Sequence, residues 1–252
     1  MPIKGTTAFI TGASSGIGKA CAEQFAKLGV NLIISARRLD RLESLTKELS
    51  SKYGICVTPF QLDVRDRKQV EALFSRLDQK IDILVNNAGL AISSDKIQDA
   101  DIDNWDTMID TNLKGLLYVT KAVLPSMLKR NQGHIINIGS VAGRECYISG
   151  NVYSATKHAV KAITQSLRLD LLGSAIRVSE VAPGAVETEF SEVRWKDKQR
   201  AKQFYQGFNP LIAEDIADAV VYCATRPLHV NIAELVVYPQ SQAASHIHRD
   251  GA

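Results

Sequence analysis

The stretch that decides the fold is Thr11-Gly12-Ala13-Ser14-Ser15-Gly16-Ile17-Gly18. It follows an apolar, β-branched run at residues 6–11, which predicts a strand, and it leads into a helical pattern at residues 17–28. Glycine lets a backbone turn sharply and approach a ligand closely, and the free N–H groups and dipole of the helix N-terminus then attract an anion. The stretch therefore predicts a phosphate-binding turn, whose contacts come from Gly12, Ser14, Ser15, Gly16, Ile17 and Gly18.

Outside this turn, short apolar runs alternate with longer helical patterns. The runs that predict strands cover residues 6–11, 31–35, 56–61, 83–86, 134–138, 177–181 and 234–238. The helical patterns cover residues 17–28, 39–50, 67–77, 105–129, 152–172 and 213–223. Such alternation forms βαβ units, and their right-handed crossovers place helices on both faces of a parallel sheet. The sequence therefore predicts a single α/β domain over residues 1–252, doubly wound around a parallel seven-stranded sheet.

Three segments depart from this pattern. Pro125 lies inside a helical stretch, so we expect it to kink or end that helix. Residues 187–209 are polar, aromatic and irregular, which predicts a lid over a substrate site. Residues 241–252 are predicted to form a surface tail. Its two histidines, His246 and His248, have no third metal ligand nearby, so we expect no metal site.

The composition is that of an ordinary globular protein, with 45% hydrophobic and 23% charged residues among 252. The net charge of +3 is too small to indicate a nucleic-acid partner, and the basic stretch at residues 194–202 is interpreted as a solvated helix face. Four scattered cysteines match neither a disulfide framework nor zinc spacing, which favours a reducing compartment. With no signal-peptide pattern and no apolar run long enough to span a bilayer, we expect a soluble, cytoplasmic protein without membrane contact.

The spacing Thr11-Gly12-x-x-x-Gly16-Ile17-Gly18 resembles that of the short-chain dehydrogenase/reductase family. Further motifs of this family occur in its order and approximate spacing, namely Asp63-Val64, Asn86-Asn87-Ala88-Gly89, Asn112, Ser140, Tyr153-x-x-x-Lys157 and Pro183-Gly184. The resemblance extends over nearly the whole chain. It implies a Rossmann-type fold, a nicotinamide cofactor, oxidoreduction of an alcohol or carbonyl substrate, and a homotetramer.

The end of the second predicted strand indicates which nicotinamide cofactor binds. NAD-binding domains place an acid near this point for the adenosine ribose, whereas here Ser35 and Ala36 precede Arg37 and Arg38. A guanidinium pairs well with a 2′-phosphate, so the sequence predicts NADP; the alternative is that the arginines only begin a charged helix. The resemblance implies the remaining cofactor contacts: Asp63 and Val64 at the adenine, Asn87, Ala88 and Gly89 at the ribose, Tyr153 and Lys157, and Pro183, Gly184, Val186 and Thr188 near the nicotinamide.

The resemblance also implies the catalytic residues. Tyr153 and Lys157 are four residues apart in a helical pattern and so share one face. A nearby ammonium, together with the positive ring of the oxidised cofactor, is expected to lower the phenol's pKa from about 10 so that the tyrosine exchanges a proton. Ser140 would hold the substrate oxygen and Asn112 a water beside the lysine. The alternative for Ser140 and Asn112 is ordinary strand-end and helix hydrogen bonding.

The motifs at residues 86–91, 108–112 and 133–140, with Trp105, look like those of the 3-hydroxy acid dehydrogenase branch of the family. That branch oxidises serine, allo-threonine and 3-hydroxy acids such as 3-hydroxypropionate, or reduces malonic semialdehyde, with NADP. A carboxylate of such a substrate would be bound by Arg144 or Arg194, beside Ser140. Two alternatives stay open: a related reductase of ketoacyl, sugar or steroid carbonyls, and a non-catalytic NADP-binding sensor.

Overall fold

Seven short strands lie side by side in the computed structural model, which describes residues 3–245 and the backbone of residues 247 and 248. They are β1 (Thr7–Thr11), β2 (Asn31–Ala36), β3 (Val57–Gln61), β4 (Ile83–Asn86), β5 (Gly133–Ile138), β6 (Ile176–Pro183) and β7 (Glu234–Val237). All neighbouring pairs are parallel, in the order β3-β2-β1-β4-β5-β6-β7. The predicted parallel seven-stranded sheet is confirmed.

Helices cover both faces of this sheet. They are α1 (Gly16–Lys27), α2 (Leu39–Tyr53), α3 (Arg67–Phe74), α4 (Ile102–Ile109), α5 (Leu116–Arg130), α6 (Asn151–Asp170), α7 (Glu189–Trp195), α8 (Lys198–Phe204) and α9 (Ala213–Thr225). Successive strand residues point to opposite faces, so Ile10 packs in one core with Phe25 of α1, and Phe9 packs in the other with Val119 of α5. Because both faces are covered, the central strands are apolar almost throughout.

The order of the strands determines where a ligand can bind. The chain proceeds from β1 outward through β2 to β3, and then returns to place β4 on the other side of β1. The crevice beyond the carboxyl ends of β1 and β4 is therefore a topological switch point, the usual ligand site of an open α/β sheet. The glycine turn follows β1, and Asn87 follows β4, at this edge.

The long helical pattern before β5 is interrupted, although not at Pro125. Helix α5 continues through Pro125 to Arg130, so of the two expected outcomes, a kink or a helix end, the helix end is excluded. The regular helix instead changes at a π-helical turn, Asp110–Gly115. Within that turn the buried amide of Asn112 exchanges two 2.8 Å hydrogen bonds with the main chain of Leu90. A π-helical turn re-aims one side chain within a helix, which here is the predicted site residue Asn112.

Two segments are more ordered than the sequence indicates. Residues 187–209 are not irregular but contain α7 and α8, whose aromatic rings pack at Trp195, Phe204 and Tyr205. The predicted surface tail is wrong for its first residues, because Gln242 is buried and its Oε1 accepts a 2.8 Å hydrogen bond from the main-chain N–H of Ala185. Strand β8 (Gln242–Ala244) pairs antiparallel with β9 (Ile247–His248).

The expectation that the tail holds no metal site concerns His246 and His248. His246 and the side chain of His248 lie outside the described residues.

Across the part of the chain that is described, no helix has the length and apolar character needed to cross a membrane.

Candidate active site

A cavity of about 620 Å³ opens at the carboxyl edge of the sheet, between the glycine turn and helices α7 and α8. All but three of the predicted site residues line it: Gly12, Ser14, Ser15, Gly16, Ile17, Arg37, Arg38, Asp63, Val64, Asn87, Ala88, Gly89, Ser140, Tyr153, Lys157, Pro183, Gly184, Val186, Thr188 and Arg194. The three exceptions are Gly18, Asn112 and Arg144. Residues that are scattered between Gly12 and Arg194 in the sequence thus meet in one concave space.

The glycine turn has the geometry of an anion cradle. Gly12 and Gly16 have φ values of +68° and +53°, which side chains of other residues rarely tolerate. A Cβ atom on Gly18 would collide with the carbonyl oxygen of Gly12 and with the amide of Asn87, so Gly18 serves packing rather than ligand contact. Helix α1 has no acid in its first turn, and its N-cap, Ser15, makes no side-chain cap. Its first N–H groups therefore remain available for a phosphate.

Hydrogen bonds between β1 and β4 fix this cradle. The hydroxyl oxygen of Thr11 accepts hydrogen bonds from the main-chain N–H groups of Asn87, at 3.0 Å, and Ala88, at 2.9 Å. The side-chain amide of Asn87 donates to the carbonyl of Thr11 at 2.8 Å. These bonds hold residues 87–89 against the glycine turn, where the resemblance predicted ribose contacts.

Arg38 lies beside the glycine turn. Its Nη2 donates to the hydroxyls of Ser14, at 3.0 Å, and Ser15, at 2.8 Å. Its Nη1 donates to Oε2 of Glu189 at 2.9 Å, and Arg41 donates to the other carboxylate oxygen. Arg37 is exposed beside it. The end of β2 therefore presents cationic groups, next to hydroxyls, where an adenosine 2′-phosphate requires them.

Asp63 and Val64 line the cavity on the side of β3. The carboxylate of Asp63 forms an ion pair with Arg65, with an Nη2–Oδ2 distance of 2.6 Å, and this hydrogen bond lowers the pKa of Asp63. Val64 contacts Gly115 at the end of the π-helical turn. The carboxylate is thus neutralised by its own arginine, so it does not repel an anionic ligand.

The predicted proton-transfer residues lie together near the opposite end of the cavity. Lys157 is buried on α6, and its Nζ donates to the carbonyl of Ile138 at 2.9 Å and lies 5.9 Å from the ring centroid of Tyr153. Ser140 follows β5, and its Oγ accepts a 3.1 Å hydrogen bond from the N–H of Ala142. Asn112 lies behind them, and its amide also donates to Thr156 at 3.1 Å.

The pKa values differ from the sequence-based expectation. Burial raises the pKa of the Tyr153 phenol above its usual value near 10, and the adjacent Tyr147 adds to this, whereas hydrogen bonding to Ser140 and the charge of Arg194 act in the opposite direction. Burial lowers the pKa of Lys157 to about 8, against the charge of Glu180. From the sequence, Lys157 is expected to lower the pKa of the phenol. The charges of the protein itself do not lower it below its usual value. At neutral pH the chain presents Tyr153 as a neutral phenol, which is a proton donor.

The two arginines predicted to bind a carboxylate have different surroundings. Arg144 lies outside the cavity, where its guanidinium forms ion pairs with Glu180 and Glu234, so its prediction as a substrate ligand is corrected. Arg194 does line the cavity, with its guanidinium carbon 5.5 Å from the ring centroid of Tyr147 and 5.3 Å from that of Trp195. Its Nε is buried and makes no hydrogen bond within the described residues, while its guanidinium hydrogen-bonds the side chain of Tyr147.

Several cavity residues carry no signal in the sequence. Tyr147 lies in a loop, and its ring stacks under Arg194. Glu189 begins α7 and pairs with the arginines after β2, and Gln242 reaches the cavity from the tail. Each depends on contacts between distant segments, so no local spacing identifies it. Among the described residues there is no group of three or more His, Cys, Asp or Glu side chains that could hold a metal ion.

Comparison with known proteins agrees with this geometry. The family described as short chain dehydrogenase matches residues 6–199. The NADP-dependent 3-hydroxy acid dehydrogenase of Schizosaccharomyces pombe is 46% identical over 99% of both chains. Sulfoacetaldehyde reductase 2 of Chromohalobacter salexigens is 46% identical, over 94% of this chain and 95% of its own.

Among solved structures, the closed form of serine dehydrogenase complexed with NADP+ superposes with a TM-score of 0.91 at 44% identity, covering 96% of this chain and 98% of the other. The chain belongs to the short-chain dehydrogenase family.

Proposed function

We propose that the protein is an NADP-dependent oxidoreductase, which transfers a hydride between nicotinamide and a small 3-hydroxy acid or the matching semialdehyde. Serine, allo-threonine and 3-hydroxypropionate are the substrates that fit this proposal. It is supported by the cationic cavity and by relatives that are named for NADP-dependent oxidation of 3-hydroxy acids. Because one fold serves enzymes with many different substrates, the substrate class is inferred from the residues of the cavity.

The predicted cofactor residues line different parts of the cavity, each of which suits one part of NADP. The glycine turn and the N-terminus of α1 suit the pyrophosphate, because no Cβ atom or acid blocks their N–H groups. Arg37 and Arg38 suit the 2′-phosphate, with Asp63 and Val64 beside the adenine. Residues 87–89 would contact the ribose, and Pro183, Gly184, Val186 and Thr188 would surround the nicotinamide. When bound there, NADP supplies or accepts the hydride.

The chain's own residues would move the proton. In the reducing direction the neutral phenol of Tyr153 donates to the substrate oxygen while Ser140 hydrogen-bonds that oxygen. In the oxidising direction the phenol must lose its proton, and a positive charge beside it favours that loss. Lys157 supplies part of that charge, and the oxidised nicotinamide would add to it. Asn112 would complete a proton path by holding a water beside Lys157.

The observation that carries the substrate proposal is the guanidinium of Arg194, which lines the same cavity as Tyr153. Its charge acts on the phenol of Tyr153, so it lies close to the reacting end. A guanidinium at this end of the cavity favours an anionic group on the substrate. Carboxylates and sulfonates meet this requirement, which agrees with the names of both relatives.

The structural context of this activity is also part of the proposal. One domain would span residues 1–252, with residues 187–209 as the lid that carries Arg194. Assembly as a homotetramer and a place in the cytoplasm are consistent with the family.

The test is a panel of serine, allo-threonine, 3-hydroxypropionate and 3-hydroxyisobutyrate with NADP, alongside neutral alcohols. Arg194→Met should lower kcat/KM for the acids about tenfold or more and leave neutral alcohols unaffected, since a hydrogen bond to a charged group contributes about 1.5–3 kcal/mol. Arg200→Met is the matched control, because Arg200 stacks on the same Trp195 but does not line the cavity. Equal turnover of ketoacyl, sugar or steroid carbonyls would favour a different reductase, and no turnover of any substrate would favour an NADP sensor.

A further inference from the structure

Glu180 is a fully buried carboxylate, at 0% exposure, in the middle of the apolar strand β6. It forms two hydrogen bonds with Arg144, from Nη1 to Oε1 at 2.5 Å and from Nη2 to Oε2 at 3.1 Å. Burying an ion pair costs desolvation energy that an apolar pair of similar size would not, so such a pair is weak evidence for stability. This raises the question of what the pair does beside the cavity.

Each member of the ion pair contacts the turn that carries Ser140. At one end, Glu180 packs so closely on Gly139 that a Cβ atom there would collide with Oε1 of Glu180. At the other end, Nη1 of Arg144 donates to the main-chain carbonyl of Ser140 at 3.3 Å. The turn at residues 139–144 is therefore held between a strand carboxylate and the arginine that neutralises it.

The same carboxylate acts on the proton-transfer residues. Its negative charge favours the ammonium form of Lys157, whereas burial disfavours that form and lowers the pKa of Lys157 to about 8. Near Lys157 lie the titratable Tyr153 of α6 and two uncharged residues, Gly89 after β4 and Asn112 of the π-helical turn. Removing the charge of Glu180 should therefore lower the pKa of Lys157 further.

A second glutamate provides an internal comparison. Glu234 is the cross-strand neighbour of Glu180 on β7 and accepts a 3.2 Å hydrogen bond from Nη2 of the same arginine. It is 31% exposed and is also bonded to Gln165. One arginine thus faces two carboxylates, of which only Glu180 packs against Gly139.

We propose that Glu180 is a positioning residue for the oxidoreductase reaction, which holds the Ser140 turn through Gly139 and Arg144 and whose charge favours the ammonium form of Lys157. This inference rests on the proposed function. It assigns a role in the reaction to an ion pair that does not touch the substrate cavity.

The experiment compares Glu180→Gln with Glu234→Gln in the reduction of a semialdehyde. Glu180→Gln should lower kcat about tenfold with a smaller change in KM, because Ser140 and Lys157 act in the reacting state. Its alkaline pH limb should also move to lower pH, because Lys157 loses its proton more readily. Glu234→Gln should resemble the wild type in both respects, and NADP affinity should be unchanged in both variants.

A double variant tests the case in which Glu180→Gln fails to fold. Arg144→Met with Glu180→Met replaces the buried ions by apolar side chains, which often preserves stability. A folded double variant with reduced kcat supports the proposal, and its alkaline limb should move less than that of Glu180→Gln because both charges are removed together. Wild-type kcat in either Glu180 variant, a wild-type pH profile in Glu180→Gln, or equal losses in Glu180→Gln and Glu234→Gln would overturn it. If the wild type itself reduces no semialdehyde, the proposed function fails first, and this inference fails with it.

Discussion

Replacing Arg38 with glutamine should weaken NADP binding about 10- to 30-fold and leave NAD binding nearly unchanged. Hydrogen bonds between a guanidinium and a phosphate contribute about 1.5–3 kcal/mol. The Arg38 side chain is 42% exposed, so solvent screening should reduce this to about 1.4–2 kcal/mol, which gives the stated ratio. Titration of intrinsic tryptophan fluorescence with each cofactor measures both affinities in one experiment.

Glu189→Gln provides a control of opposite sign. The carboxylate of Glu189 pairs with Arg38 and Arg41, so it competes with a phosphate for the same guanidinium. Removing its charge should tighten NADP binding about two- to fivefold, the value of an exposed ion pair. If Arg38→Gln weakens NADP and NAD equally, or if Glu189→Gln weakens NADP, the assignment of the 2′-phosphate to Arg38 is refuted.

Two further predictions concern stability. Arg177→Met should lower the free energy of unfolding by about 2–4 kcal/mol, measured by urea titration. The reason is that the buried guanidinium donates to the carbonyls of Cys223 and Ala224, at the end of α9, and of Val230. A loss below about 0.5 kcal/mol would contradict this role. Burial lowers the pKa of His134 to about 3, below the value near 6.5 of an exposed histidine, so the unfolded chain binds the proton more readily. The contribution of neutral His134 to stability is therefore complete above about pH 6.5 and is lost as the pH falls toward 3. His134→Gln should flatten the acid limb of a curve of unfolding free energy against pH. An unchanged limb would exclude His134 as its cause.

The sequence was sufficient for features that depend on neighbouring residues. The glycine turn and the alternation of strands and helices follow from local periodicity and local sterics, whereas the Tyr153–Lys157 pair was implied by the resemblance to the family. Because all strands are parallel, residues that follow them must meet at one edge of the sheet. This is why most of the predicted cavity residues line the cavity.

The sequence was not sufficient where side chains pair over long separations. Arg144 lies four residues after Ser140, yet its partners are 36 and 90 residues further along the chain. The strand register that places Glu180 opposite Glu234 decides the direction in which the Arg144 side chain points. No local sequence pattern contains that register. The available signal is the charged Glu180 within the predicted strand at residues 177–181, which indicates a partner when that strand is buried. The burial of Gln242 depends in the same way on a tertiary contact, with Ala185.

The account depends most on Tyr153 as the group that exchanges a proton with the substrate oxygen. The direct measurement is the turnover number of Tyr153→Phe with NADPH and a semialdehyde, together with its NADPH affinity. Loss of the phenol should reduce kcat by about 10²- to 10⁴-fold, the usual contribution of a positioned acid, while the ring still packs against Phe190 and affinity is retained. A variant that binds NADPH normally and turns over at the wild-type rate would contradict the assignment of Tyr153 as the proton donor.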